Sequence, residues 1–347
     1  MRKLLFLMVA LVALWSGYWF VGTNALRKGV DGWFTDAAAQ GLVAENTGVT
    51  VAGFPNRWDL TVDGLHLADP DAGIGWTAPF VQVFAMTWKP WHIIAALPPE
   101  QQVALPDQVV TLGSEGLRAS FRAKPALDLP LAAVILETSR LTAVSSAGWT
   151  VGAGRSVASI SADEEVPGAG DAPSTYVLSL DAAELTPDPG FMARVKAVAI
   201  PDLPPSDLPD SVDSVQGSVL LSLSAPLDRH AGQAKPYLSG ITINGLHLTW
   251  GNLTAVAKGG LQADDQGFAA GIVTVDVTNW DRLPAVLVAA GVINPDLAPT
   301  VARGMQALAS QSPDLSVLSL TLVLKDGQMN FGPFPLGPAP RLVPPTG

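Results

Sequence analysis

Cysteine is absent from this chain, and charge is scarce. Asp, Glu, Lys and Arg make up 15% of its 347 residues, where a soluble domain ordinarily carries about 25%. Without cysteine there is no disulfide framework, no thiolate metal site and no cysteine nucleophile. The absence also agrees with an exported protein that avoids oxidative pairing. Cations are the rarer sign, with 20 Lys and Arg against 31 Asp and Glu. A net charge of -11 offers no basic footprint to displace counterions, so no nucleic-acid partner is expected. Intrinsic disorder is excluded from the other side. Few charges and a mean hydropathy of +0.31 leave ample apolar surface to bury. Catalytic signatures are missing too, with no nucleophile elbow, phosphate loop or dinucleotide fingerprint, and no cofactor is expected.

The clearest positive signal stands at the amino terminus. Arg2 and Lys3 precede a run from Leu4 to Gly22 that contains no charge. Its length is close to the roughly 20 residues that cross a bilayer as a helix. A cleaved signal peptide is the competing reading, with an apolar core of about 7–15 residues before a small-x-small site. Here Trp15, Tyr18, Trp19 and Phe20 occupy the place of the small residues, and the best cleavage site is Thr23-Asn24-Ala25. Aromatic residues at one end of a span suit a membrane–water boundary. The expectation is an uncleaved anchor over residues 1–22. Arg2 and Lys3 favour a cytoplasmic amino terminus, while Arg27 and Lys28 oppose it.

Beyond the anchor, Leu26, Val30, Trp33, Phe34 and Ala37 keep helical spacing, which predicts a connecting helix over 23–42. From Val49 onward the period falls to two. Tyr176, Leu178 and Leu180 form one stripe, Val215, Val219, Leu221 and Leu223 a second, and Leu318, Leu320, Leu322 and Leu324 a third. Such stripes mark half-buried antiparallel strands. The run from Phe80 to Trp88 is apolar on both faces and predicts cover on both sides.

Two segments echo one another, Leu60-Thr-Val-Asp-Gly-Leu-His-Leu-Ala68 and Ile241-Thr-Ile-Asn-Gly-Leu-His-Leu-Thr249. In both, the apolar face changes phase at the glycine, as a β-bulge would require. The predicted fold is therefore mainly β (α+β). An amino-terminal transmembrane helix leads into long twisted antiparallel sheets in two related lobes, 43–200 and 215–335. A Pro/Asp-rich connector over 201–214 joins them, and 163–173 reads as an acidic loop. The second lobe carries a carboxyl-terminal helix pair. Asn279 is expected to cap the first helix and Asn294-Pro295 to open the second. Residues 336–347 read as an irregular tail.

Chemistry-bearing residues are sparse. His66 and His247 occupy equivalent positions of the echo, and a metal or proton site built on the pair is the sharp reading. The phase slip puts both on the more polar strand face, where a lone histidine needs no ligand, so no metal is expected. Asp59 with Asp63, and Asp264 with Asp265, suit strand faces and turns better than a catalytic pair. Asp69-Pro-Asp-Ala-Gly73 reads as a turn. Trp58, Leu60 and Val62 with Ile241 and Ile243 are the candidates for an apolar sheet face, lining either an open groove or a closed core. Core packing accounts for most of the seven tryptophans beyond the anchor-linked helix. The alternative is a set of large apolar side chains facing lipid, into which Trp88 and the segment Lys89-Pro-Trp-His-Ile-Ile94 could dip.

The ordered set Gly53-Phe-Pro-Asn-Arg-Trp-Asp59, Leu246-His-Leu-Thr-Trp-Gly251, Gly267-Phe-Ala-Ala-Gly271, Asn279-Trp280 and Asp326-Gly-Gln-Met-Asn-Phe-Gly332 resembles a family of bacterial envelope proteins. Its members carry an amino-terminal anchor and a domain of unknown function. More distantly the arrangement is similar to AsmA-like proteins, whose long sheets present a hydrophobic groove. The resemblance implies a span in the bacterial inner membrane with the bulk in the periplasm. It implies a non-enzymatic role in lipid binding or outer-membrane biogenesis, with membrane lipids as partners. A structural subunit of an envelope complex, with a protein partner, is the alternative. An envelope hydrolase using paired carboxylates is a third reading.

Overall fold

The apolar run and the helical pattern behind it carry no breaker between them, and in the computed structural model they form one uninterrupted helix. The structure describes residues 2–163, 174–331 and 334–344, so most of the acidic loop read over 163–173 lies outside the described residues. Helix α1 runs from Arg2 to Ala39. At about 1.5 Å per residue its 38 residues extend for roughly 57 Å. It takes in both the expected anchor and the expected connecting helix. Among the described residues twenty strands follow, joined in antiparallel ladders.

The chain divides into two compact units, residues 1–125 with 134–148, and 126–133 with 149–347. The strands up to Gly148 are β1 (Val43–Glu45), β2 (Gly48–Ala52), β3 (Arg57–Asp69), β4 (Ile74–Met86) and β5 (Lys89–Ala96). They continue with β6 (Glu100–Leu105), β7 (Gln108–Glu115), β8 (Arg118–Ala123), β9 (Leu131–Thr138) and β10 (Arg140–Ser145). In this first unit α1 lies along β3 and covers one sheet face. Trp19 packs with Val51 and Trp58, and Val30 and Phe34 pack with Val62, Leu65 and Ala78.

That face exists because β3 and β4 change phase together. Leu60 and Val62 before Gly64, and Leu65 and Leu67 after it, all turn toward α1. On β4, Ala78 and Val81 do the same. Gly64 has φ +56°, and a Cβ there would meet the Thr47 side chain at 2.6 Å, so only glycine fits. The pairs Asp63–Phe80 and Leu65–Ala78 flank the irregularity without any slip in register. At the echo in the second unit the device differs. Asn244 and Gly245 stand between the pairs Ile243–Gly259 and Leu246–Ala257, so two residues oppose the single Lys258. This is a true bulge. The cover expected on both sides of Phe80–Trp88 is not found. α1 shields one face alone, and Met86 and Trp88 remain 40% and 55% exposed.

The second unit is a meander of β11 (Thr150–Ala153), β12 (Ser156–Ala162), β13 (Ser174–Leu185), β14 (Val212–Leu223), β15 (Leu238–Trp250) and β16 (Leu253–Ala263). It ends with β17 (Ala269–Thr278), β18 (Val317–Lys325), β19 (Gln328–Phe331) and β20 (Phe334–Pro338). Part of the tail read as irregular is thus a strand. Its backbone pairs with β19, and an edge position tolerates its prolines. One core cluster joins Trp250, Leu253, Val277 and Leu318 to helices α2 (Pro189–Ala197), α3 (Leu283–Ala289) and α4 (Ala298–Ala309).

The Pro/Asp-rich stretch 201–214 lies within this unit and not between two lobes; it precedes β14 and its last three residues open that strand, which pairs with β13. It is tied down at several points. Trp250 donates from Nε1 to the Pro209 carbonyl at 2.8 Å, and Leu208 is buried in the cluster. The Arg282 guanidinium grips the Asp207 carboxylate through Nε and Nη2 at 2.8 and 3.1 Å. That bond holds the Asp207 carboxyl below its ordinary range. Asn279 does not act as a side-chain cap. Its backbone is left-handed, and its Nδ2 donates to the Asn252 carbonyl. Asn294 does cap, accepting from the Asp296 N–H.

Helix α2 went unread in the sequence, although Asp188-Pro189 is an N-cap followed by a proline at the first helical position. Its Asp188 carboxylate accepts from the Phe191 N–H at 3.0 Å and the Thr150 N–H at 3.1 Å. The Thr150 and Phe191 bonds favour the ionised form and lower its pKa from 3.8. A lowered folded-state value means that the stabilisation is complete above the unfolded value and is lost as pH falls through the folded one. Asp188→Ala should therefore lower the thermal midpoint at pH 7. In paired melting curves, the gap from the natural protein should close as the pH is taken well below 3.8.

Candidate functional site

The sheet-packed half of α1 presents two kinds of side chain to the first unit. Leu26, Val30 and Phe34 fill the interface with β3 and β4. Gly22, Ala25 and Gly29, at i, i+3 and i+7, lie on the same side, Gly22 admitting the Trp58 ring and Gly29 leaving open space. The result is an apolar trough of about 650 Å³ between these small residues and Trp58, Val62, Leu65, Leu67 and Val81. A second cavity of about 420 Å³ continues past Trp33, between Ala37 and Leu42 on one side and Leu67, Trp76, Val103 and Leu105 on the other. Trp33 borders both and is 51% exposed. Both volumes fall in the range of small-molecule sites, about 300–1,000 Å³. Among the described residues no charged or hydrogen-bonding side chain other than tryptophan lines the first, and Asp69 is the one charge at the second.

Hydrogen bonds from the helix fix the Gly22 end of the trough. Trp19 donates from Nε1 to the Arg57 carbonyl at 2.7 Å, and Tyr18 from its hydroxyl to the Thr87 carbonyl at 2.9 Å. Trp15 donates to the Pro55 carbonyl at 3.0 Å. The Trp58 indole reaches back to the Trp19 carbonyl at 3.4 Å. Aromatic residues 15, 18 and 19 thus seat α1 on the loop before β3 and the turn after β4.

Of the five residues singled out in the sequence, three meet here. Trp58 and Val62 line the trough, and Leu60 packs against the same clusters. Ile241 and Ile243 lie on β15 in the second unit and border neither cavity. The helix side of the trough was missed, although the spacing of Gly22, Ala25 and Gly29 was there to be read.

The polar candidates have local roles. His66 Nδ1 lies 2.9 Å from the Thr77 hydroxyl. His247 borders a shallow polar depression with Gln216 and Asn244. Asp59 forms an ion pair with Arg57 at 2.6 Å. Asp69 accepts from the N–H groups of Asp71 and Ala72, and Asp264 from those of Gln266 and Phe268, as turn residues do. Among the described residues no group of three or more His, Asp or Glu is placed to hold a metal ion.

The two glycines of the helix wall should respond in opposite ways. A methyl at Gly22 would stand 2.2 Å from the Trp58 ring, whereas at Gly29 it would meet nothing within 4 Å. Gly22→Ala is expected to destabilise the full chain by about 1–3 kcal/mol through overpacking. Gly29→Ala is expected to stabilise it by up to about 1 kcal/mol through helix propensity. Denaturant titration of the two variants side by side checks the contrast.

Comparison with curated proteins gives no match, and neither does comparison with solved structures. One family profile does match, over residues 19–340, beginning at the first buried residue of α1 and running almost to the end of the described chain. The chain belongs to the bacterial family described as "uncharacterized protein conserved in bacteria (DUF2125)".

Proposed function

We propose that this protein is an envelope protein anchored in the bacterial inner membrane by α1, with its bulk in the periplasm, and that it binds the acyl chains of membrane lipids in the trough beside that helix. The observation that carries the reading is the position of the cavity. The apolar run ends at Gly22, and Gly22 is also the first residue of the trough wall. Lipid leaving the bilayer would meet an apolar wall at once. Each methylene sheltered there is worth about 0.8 kcal/mol.

The anchor is read as uncleaved because its far end belongs to the folded body. Trp19 and Thr23 are buried at 6% and 7% exposure, and the family match begins at residue 19. Cleavage after Ala25 would remove Trp19 and with it the hydrogen bond to Arg57. The AsmA-like resemblance points the same way, toward a groove-bearing sheet. The echoed strands β3 and β15 are both 13 residues long and fall in different units, which supports two lobes of related design. The role is read as non-enzymatic.

Gly29→Leu separates lipid binding from folding. It fills the trough from the helix side, where open space awaits a side chain, and should not lower stability. Lipid extracted from the purified full-length variant, normalised to protein, should fall severalfold below the natural chain. Natural protein that carries no lipid would overturn the reading. Recovery with one stoichiometric protein instead would favour the alternative of a subunit in an envelope complex.

A further inference from the structure

The length of α1 available to the membrane is short compared with where the body begins. Leu4 opens the apolar run, and the body first touches the helix at Trp15. Eleven residues of helix rise about 16 Å, whereas the hydrocarbon core of a bilayer is about 30 Å thick. A span that fills the core must extend to about Gly22, and tilting the helix lengthens the requirement. The segments hydrogen-bonded to Trp15, Tyr18 and Trp19 must then lie below the membrane surface. We propose that the loop Gly53–Arg57 and the turn Thr87–Trp88 are inserted into the interfacial layer of the same bilayer that α1 crosses, so that the first unit is docked on the membrane and not tethered above it.

Two independent features of those segments fit a lipid surface. Their tips are large and apolar yet open, with Phe54 53% and Trp88 55% exposed. Phe54 stacks on Phe20 of the helix with ring centroids 5.9 Å apart, so the apolar surface runs without a break from helix to loop. Most of their backbone carbonyls, moreover, are satisfied within the protein, namely those of Gly53, Pro55, Asn56, Arg57 and Thr87. The Pro55, Arg57 and Thr87 carbonyls accept from the indoles and phenol of α1. The Asn56 carbonyl accepts from the Thr87 N–H and hydroxyl, and the Gly53 carbonyl from the N–H groups of Asn56 and Arg57. Irregular backbone at membrane depth is tolerated only when its polar groups are paired within the protein. The adjacent charge on Arg57 is neutralised by Asp59. The shortfall in helix length is about 14 Å, so these segments reach somewhat deeper than the roughly 5–10 Å by which amphipathic elements enter an interface.

The proposal rests on the anchor reading, and one experiment separates the two. The chain has no cysteine, so single thiols report without background. Leu11→Cys, Phe54→Cys, Trp88→Cys and Val144→Cys would each be made in the full chain and labelled with an environment-sensitive fluorophore. The proteins would be reconstituted in vesicles of phosphatidylethanolamine and phosphatidylglycerol. Leu11 probes the span. Val144 is the aqueous control, because the ladder Val144–Thr111–Gln102–Thr77 sets it in the row of Thr77. That row lies nine residues, about 30 Å, along β4 from Met86. Labels at positions 54 and 88 should be quenched by a spin label near the lipid headgroup and protected from iodide severalfold better than the label at 144. Iodide access at 54 and 88 equal to that at 144, with Leu11 buried, overturns the insertion and leaves the anchor intact. Leu11 open to iodide overturns both. Trp88→Cys alters an exposed turn residue, so a failure of Phe54→Cys to fold does not decide the result.

Discussion

One apolar face needs one cover, and in the first unit the cover is α1. β3 and β4 turn Val62, Leu65 and Ala78 to the same side, and a sheet face of this kind is stable only when another layer removes it from water. Its burial stabilises the unit at about 25 cal/mol per Å² of apolar area removed from water. The helix that supplies the cover also carries the apolar run. The apolar run and the fold are therefore coupled through one continuous helix, without a linker between them. A signal peptide is ordinarily dispensable to the mature fold. Here the residues around the weak cleavage site include Trp19, Gly22 and Thr23, all of which touch or enter the body.

The second unit meets the same demand by different means. Its core is closed by α2, α3 and α4 and by the Pro/Asp-rich stretch, which Trp250 and Arg282 hold in place. The perturbed carboxyls of Asp188, Asp207 and Asp314 all belong to this framework. Each is lowered by hydrogen bonds within a cap, a turn or an ion pair. Perturbed groups often mark catalytic sites, but these three have structural partners. The apolar trough of the first unit is where ligand-sized space is found beside an element compatible with a membrane.

The sequence made some of this legible and concealed the rest for physical reasons. Period-two stripes announced the strands, and the phase change at Gly64 and Gly245 announced irregularities in both echoed strands. Whether a phase change is a bulge depends on the partner strand, which periodicity cannot show. β4 slips together with β3, whereas β16 does not slip with β15. Trp58, Leu60 and Val62 were readable as one apolar face. Their separation from Ile241 and Ile243 was not, because an internal echo says nothing about which strands share a surface. Gly22, Ala25 and Gly29 were silent for a different reason. Small residues on a helix read as tolerance until the facing side chains, above all Trp58, are known.

The scarcity of charge acquires a location from these placements. Ser, Thr and Gly hold many outward strand positions, so the low charge is spread along the sheets. The mean hydropathy is raised most by the segment from Leu4 to Gly22. On the proposed insertion, that segment ends at the far hydrocarbon boundary, with the rings of Phe54 and Trp88 in the layer just around it. Gly22, the first residue of the trough wall, then stands at the same depth. The mouth of the trough would open among the lipid headgroups and not in water. An acyl chain entering at that depth keeps apolar contact throughout, and so avoids exposing each methylene at a cost of about 0.8 kcal/mol. Lifted onto a flexible tether, the same trough would require every chain to cross an aqueous gap first. On these two proposals, rigid docking and lipid uptake would be physically coupled, because the aromatic contacts of Trp15, Tyr18 and Trp19 that seat the helix would also set the depth at which the trough begins.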